Sequence, residues 1–173
     1  MMKIAAILFL FSWIFPWRQT TPKIEVGSKI PDFSLPDQDG KIFNIKDVLG
    51  KENLVIYFYP KDDTPGCTKE ACTFRDQYEE FRKVNAKIIG ISGQSVASHK
   101  QFEEKYKLPF TLLSDEDNKV RKLFGVSSGP IPGRVTFVVD KTGKVVYTFD
   151  SQMQAAKHVE EAMRILKEMK PSS

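Results

Sequence analysis

Leu54-Val-Ile-Tyr-Phe-Tyr59-Pro60-Lys-Asp-Asp-Thr64-Pro-Gly66-Cys67-Thr-Lys-Glu70-Ala-Cys72-Thr-Phe74 changes its periodicity halfway along. Leu54 to Tyr59 is a run of β-forming residues with no polar break, the pattern of a strand buried on both faces. From Thr68 to Asn85 the spacing is helical, with Ala71, Phe74, Tyr78 and Phe81 on one stripe. A polar loop with two prolines joins the two. Cys67 therefore stands at the start of a helix that follows a buried strand.

The alternation continues in both directions. Upstream, Asp39-Gly40 is a turn signal between short strand-like pieces, Asp32 to Leu35 and Lys41 to Ile45. Downstream, Lys87 to Ile91 reads as a second buried strand, and Ser95 to Lys107 as a helix ended by Pro109. Phe110 to Leu113 is a short strand, and Asn118 to Phe124 a short helix stopped by Gly125. Val135 to Val139 and Val145 to Phe149 flank Asp140-Lys-Thr-Gly143, a hairpin loop. Ala155 to Met169 is an amphipathic closing helix. Crossovers through helices predict parallel strands, and the hairpin adds an antiparallel edge. The order fits an α/β, thioredoxin-like fold with an N-terminal strand extension, spanning residues 30–170.

Composition bounds the function. A chain of 173 residues that is 41% hydrophobic suits one core. The net charge of +4 is spread among mixed charges, with no basic run dense enough for a nucleic-acid surface. Two cysteines are too few for a disulfide scaffold, and His99 and His158 lie too far from them in sequence for a four-ligand zinc site. No metal and no cofactor is expected. Both histidines are assigned to helix surfaces, without a role.

The N-terminus stands apart. Ile4 to Trp17 is apolar apart from Ser12, with Lys3 before it and Arg18 after it. Residues 1–17 resemble a secretory signal without an Ala-x-Ala cleavage site, or a short membrane anchor. Export or anchoring, with membrane contact through residues 3–17, is the expectation; a cytoplasmic location is the alternative. Residues 18–29 are polar and read as a linker.

Cys67 carries the chemistry. Free N–H groups and the helix dipole at a helix start favour an anion, and the thiolate is the nucleophilic form of cysteine. Gly66 leaves room for a small substrate to approach. The hydroxyl of Thr64 can donate to the sulfur or to a bound oxygen, and Pro60 and Pro65 stiffen the loop. A free cysteine is often a small core hydrophobe, but Lys61, Asp62, Asp63 and Thr64 make this approach polar.

Cys72 follows five residues later. In a regular helix that separation puts the Cα atoms about 8.6 Å apart, beyond the roughly 4.4–6.8 Å of a disulfide. Either Cys72 is a core residue, or the helix unwinds locally during a redox cycle.

Pro60-x-x-x-Thr64-x-x-Cys67 resembles the peroxiredoxin active-site pattern, and Tyr59 to Cys72 as a whole is similar to the Q-type peroxiredoxins, also called bacterioferritin comigratory proteins. The similarity runs on through Ser98-His-Lys, Lys105 to Asp115 and Pro132-Gly-Arg134, covering roughly Val26 to Leu166. The resemblance implies a thiol peroxidase acting on hydrogen peroxide and organic hydroperoxides. Cys67 would be the peroxidatic cysteine and Cys72 the resolving one. Thr64 would bind the peroxide, Pro60 would shield the pocket, Arg134 would stabilise the thiolate, and Glu70 would orient an active-site arginine. Thioredoxin or a similar dithiol protein would be the reductant, though an exported chain could not use a cytoplasmic one. A monomer is expected, because both cysteines lie in one helix. Where many members carry a Pro-Asp-like pair, this chain has Gly93-Gln94. Two other readings compete: a redox sensor or holdase with little turnover, and a disulfide exchanger, which would normally carry Cys-x-x-Cys.

Overall fold

The computed structural model describes residues 23–169. Its centre is a mixed sheet in the order β5-β4-β3-β6-β7. β3 (Asn53–Phe58) pairs in parallel with β4 (Ala86–Ser92), and β4 in parallel with β5 (Thr111–Ser114). On the other side β6 (Val135–Val139) and β7 (Val145–Asp150) run antiparallel. The parallel half and the antiparallel edge stand as the helical and hairpin connections predict. β1 (Ser34–Pro36) and β2 (Ile42–Asn44) form a separate two-stranded hairpin, tied to the main sheet by a bridge from Asp37 to Leu113.

Alternation along β3 sorts the core into two layers. Val55, Tyr57 and Tyr59 pack against α1 (Pro65–Asp76), α2 (Tyr78–Lys83) and α5 (Ala155–Glu168), through Ala71, Phe74, Phe81, Val159 and Ala162. Leu54, Ile56 and Phe58 pack on the opposite side against Phe33, Ile45 and α4 (Lys119–Leu123), through Val120 and the adjacent Phe124. α3 (Val96–Tyr106) adds Phe102 to the first layer and ends at Lys107, whose left-handed backbone (φ 53°) turns the chain toward β5.

The structure differs from the sequence expectation in four places. The single helix expected over 68–85 is two helices, broken at Gln77 (φ −105°, ψ 9°). The break lets the Phe74 and Phe81 rings meet at a tilt with centroids 5.6 Å apart; a straight helix would separate the two residues by about 10.5 Å along its axis. The first of these helices begins at Pro65, where a fixed φ and a missing N–H suit the first helical position. His99 and His158, expected on helix surfaces, are both fully buried, because each finds polar partners for its ring inside the core. The stretch read as a linker is held down at its end: the Gly27 N–H donates to Val145 O at 2.8 Å, and Lys29 bridges Lys144.

The apolar segment 1–17 lies outside the described residues. Among the described residues no helix is long and apolar enough to cross a membrane.

Candidate active site

β3 delivers the chain to Pro60, and the loop Pro60–Thr64 turns it into α1. Thr64 is the cap residue, extended at φ −93° and ψ 151°, with Pro65 and Gly66 next and Cys67 third in the helix. The first turn of a helix leaves its N–H groups without intrahelical partners. Those of Gly66 and Cys67 consequently point at the space in front of the helix, where an anion is favoured. The Thr64 hydroxyl donates to Lys61 O at 3.0 Å rather than capping the helix.

Cys67 is buried, and its sulfur accepts from Nη2 of Arg134 at 3.3 Å. Arg134 immediately precedes β6, the strand beside β3, and that adjacency brings it over the helix start. Its three nitrogens are all engaged: Nη2 by Cys67, Nη1 by Glu70 Oε2, and Nε by Gln152 O at 3.3 Å. Burial alone would pull the guanidinium down, but Glu70 and Cys67 outweigh it and hold its pKa above the ordinary value. The sequence marked Gly66 as leaving room for substrate. In the fold that room belongs to Arg134: a Cβ on Gly66 would sit 3.1 Å from Nη2.

Glu70, one turn after Cys67, is fully buried. Burial pushes its carboxyl up to about 8 despite the pull of Arg134. His158, from α5, lies behind it with Nδ1 3.7 Å from Oε1. Burial brings His158 down to about 4, so it is neutral at physiological pH.

Cys72 is half-buried, and both cysteines are free thiols within an intact α1. The helix holds them five residues apart, too far for a disulfide by helical geometry.

Three groups around the loop were not legible in the sequence. Asp62, read there as a polar approach residue, is 6% exposed and accepts from the Tyr59 hydroxyl at 2.7 Å, the Ser98 hydroxyl at 2.6 Å and His99 Nδ1 at 2.9 Å. Burial raises its carboxyl, and those hydrogen bonds, led by His99, more than reverse that, leaving its pKa lowered. Asp63, at φ 57°, binds Lys105 and the Tyr106 hydroxyl on α3. Arg121, buried in α4, donates to Tyr59 O at 2.7 Å and to Gly133 O at 2.8 Å. It ties the residue before Pro60 to the residue before Arg134, and so sets the sulfur and its guanidinium in register. Its setting in Lys119-Val-Arg-Lys reads as an ordinary helix surface, and nothing local signals otherwise. Gln94, of the departing Gly93-Gln94 pair, lines a polar cleft of about 460 Å³ with Lys61, Asp62, Ser98 and Lys105.

An anion-favouring helix start, a buried cysteine and an arginine on its sulfur can make and hold a thiolate. Among the described residues no cluster of side chains has the makings of a metal site.

Comparison with known proteins agrees with that chemistry. The AhpC/TSA family pattern matches residues 26–148. The chain is 53% identical over 150 residues to the chloroplastic peroxiredoxin Q of Oryza sativa subsp. japonica, covering 85% of this chain and 69% of that one. It is 54% identical over 148 residues to the chloroplastic peroxiredoxin Q of Arabidopsis thaliana, covering 84% and 68%. Among solved structures it resembles the peroxidoxin BcpB of Mycobacterium tuberculosis, with a TM-score of 0.81 and 36% identity over 84% of this chain and 98% of that one. It also resembles the bacterioferritin comigratory protein of Xanthomonas campestris studied for alkyl peroxide reduction, with a TM-score of 0.75 and 32% identity over 83% and 98%. A cysteine held as the sequence pattern requires, in a fold shared with these proteins, leaves one assignment: the chain belongs to the AhpC/TSA family and, within it, to the peroxiredoxin Q group of thiol peroxidases.

Proposed function

We propose that Cys67 is the peroxidatic cysteine of a two-cysteine cycle completed within one chain. The observation that carries this is the 3.3 Å contact from Arg134 Nη2 to Cys67 Sγ at the open start of α1. The thiolate attacks the O–O bond of hydrogen peroxide or an organic hydroperoxide. Sulfur becomes a sulfenic acid, and the leaving oxygen departs as water or alcohol. The N–H groups of the first turn and the Thr64 hydroxyl, turned from Lys61 O, hold the peroxide oxygens. Arg134 stabilises both the thiolate and the charge that develops on the leaving oxygen. Pro60 shields the pocket, Gly66 admits the guanidinium, and Glu70 orients it.

Cys72 then attacks the sulfenic acid, releasing water and forming a Cys67–Cys72 disulfide, with α1 unwound between the two. Thioredoxin or a similar dithiol protein reduces that disulfide. All of this takes place in residues 30–170 of a single chain, so a monomer suffices, and residues 1–17 serve as a targeting segment. Peroxide consumption with thioredoxin, thioredoxin reductase and NADPH tests the reading. Many turnovers that vanish in Cys67→Ser support it. One stoichiometric oxidation per chain with a competent reductant would move the assignment to a redox sensor.

A further inference from the structure

Two buried acids share one cation in this site. Arg134 donates through Nη2 to Cys67 and through Nη1 to Glu70 Oε2, and both acids are buried. If both ionised, Arg134 would face two buried anions, which a low-dielectric interior resists. Arg121, the other buried cation near Cys67, spends its hydrogen bonds on Tyr59 O and Gly133 O and reaches neither acid.

The second carboxyl oxygen shows where a proton belongs. Glu70 Oε1 is buried and has no hydrogen-bond partner. Its polar neighbour is His158 Nδ1, 3.7 Å away. The other ring nitrogen, Nε2, lies 2.8 Å from Ser151 O; a carbonyl only accepts, so Nε2 carries the hydrogen. Burial keeps the ring neutral down to about pH 4, so Nδ1 is a lone pair, and it takes the Thr136 hydroxyl at 2.8 Å. An ionised Oε1 would face that lone pair with nothing to bind. A protonated Oε1 leaves no unpaired charge there, which is the cheaper state for a buried oxygen without a donor. The remaining titratable group beside this carboxyl is Tyr57 on β3, a phenol that burial keeps un-ionised.

We infer that in the reduced protein Cys67 and Glu70 hold one proton between them, with the thiolate forming as Glu70 takes the proton on Oε1. This rests on the reading of Cys67 as the peroxidatic cysteine. The exchange converts thiol and carboxylate into thiolate and carboxylic acid, so Arg134 always faces one anion. Thiolate, hydroperoxide and carboxylic acid become sulfenic acid, alcohol and carboxylate. The S–O bond forms as the O–O bond breaks, sulfur is oxidised and the peroxide reduced. The leaving oxygen gains one proton and Glu70 loses one. Glu70 then returns to pair with Arg134 as the thiolate disappears.

Infrared difference spectroscopy on reduced protein carrying 13C-labelled glutamate tests this without peroxide. The expected result is a protonated-carboxyl band that shifts with the label, is missing from Glu70→Gln, and persists at pH values where alkylation rates show Cys67 to be thiolate. In Cys67→Ala the second acid is gone, and the band should titrate about one pK unit or more lower. Alkylating Cys67 in the unsubstituted protein should move it the same way, which covers the case of a variant that misfolds. Absence of the band where Cys67 is thiolate, or an unchanged midpoint after Cys67 is removed or alkylated, overturns the inference. Either result, alongside normal peroxide turnover, leaves the peroxidase reading standing.

Discussion

Arg134 Nη2 meets Cys67 Sγ at 3.3 Å across 67 residues of sequence. Lysine in its place would offer one ammonium in place of a fork that serves Cys67, Glu70 and Gln152 together. Arg134→Lys is expected to lower kcat/KM for hydrogen peroxide by about 10²–10³-fold, the usual cost of losing a preorganised donor to developing charge. It should also slow alkylation of Cys67 by iodoacetamide, since the thiolate is the form that reacts. Steady-state peroxidase kinetics and the pH dependence of iodoacetamide alkylation measure the two effects. Unchanged values would remove Arg134 from the chemistry.

Tyr106 holds α1 at both ends. Its hydroxyl donates to Asp63, just before the helix, and its carbonyl accepts from Arg75 Nη1, in the last turn, at 2.8 Å. Both cysteines lie between these ties, so unwinding for disulfide formation is opposed at each end. Arg75→Ala removes one tie, worth about 0.5–1.5 kcal/mol. Disulfide formation after the sulfenic acid should then run up to about 10-fold faster, as followed by rapid-quench mass spectrometry. A slower reaction would mean that Arg75 acts on Cys72 directly.

His158 and Glu70 predict opposite slopes of stability with pH. The folded pKa of His158 falls from 6.5 to about 4, so only the unfolded chain takes up a proton between those values. Its contribution is present above pH 6.5 and is lost as pH falls toward 4, by up to roughly 3 kcal/mol. Glu70 rises from 4.5 to about 8, so its contribution is present below pH 4.5 and is lost as pH rises through 8. Urea unfolding of His158→Gln should lose less stability than the unsubstituted protein on going from pH 7 to 5. Glu70→Gln should lose less on going from pH 6 to 8.5. Parallel curves would sink both assignments.

Gly90, in the middle of β4, is there because of Tyr57. A Cβ at position 90 would lie 2.7 Å from Tyr57 Cζ and hydroxyl and 2.9 Å from Leu112 Cδ2. Both neighbours are core, so neither can swing away. Gly90→Ala is expected to cost about 1–3 kcal/mol of stability, read from the urea midpoint at unchanged slope. A neutral substitution would show that β3 and β4 can shift apart.

Sequence alone determined most of the elements and the place of Cys67 near a helix start, because both are written in local patterns. An unbroken β-run through Tyr59 and a stripe from Ala71 to Phe81 set a strand, a loop and a helical stretch, with Cys67 at the junction, but not the break at Gln77 that divides the stretch into α1 and α2. Spacing also showed that Cys67 and Cys72 cannot bond while α1 is whole. The tertiary structure decided what surrounds the sulfur. Local pattern makes Arg134, Arg121, Asp62, His99 and His158 surface residues, since an unpaired charge or imidazole is costly to bury. Each is buried because its partner arrives from another element: Glu70 and Cys67 for Arg134, Tyr59 and Gly133 for Arg121, Asp62 for His99, Thr136 and Ser151 for His158. Such pairing depends on distances across the sheet, which no window of sequence contains. The thiol could be read from the chain; the guanidinium on its sulfur arrives only once β6 lies beside β3.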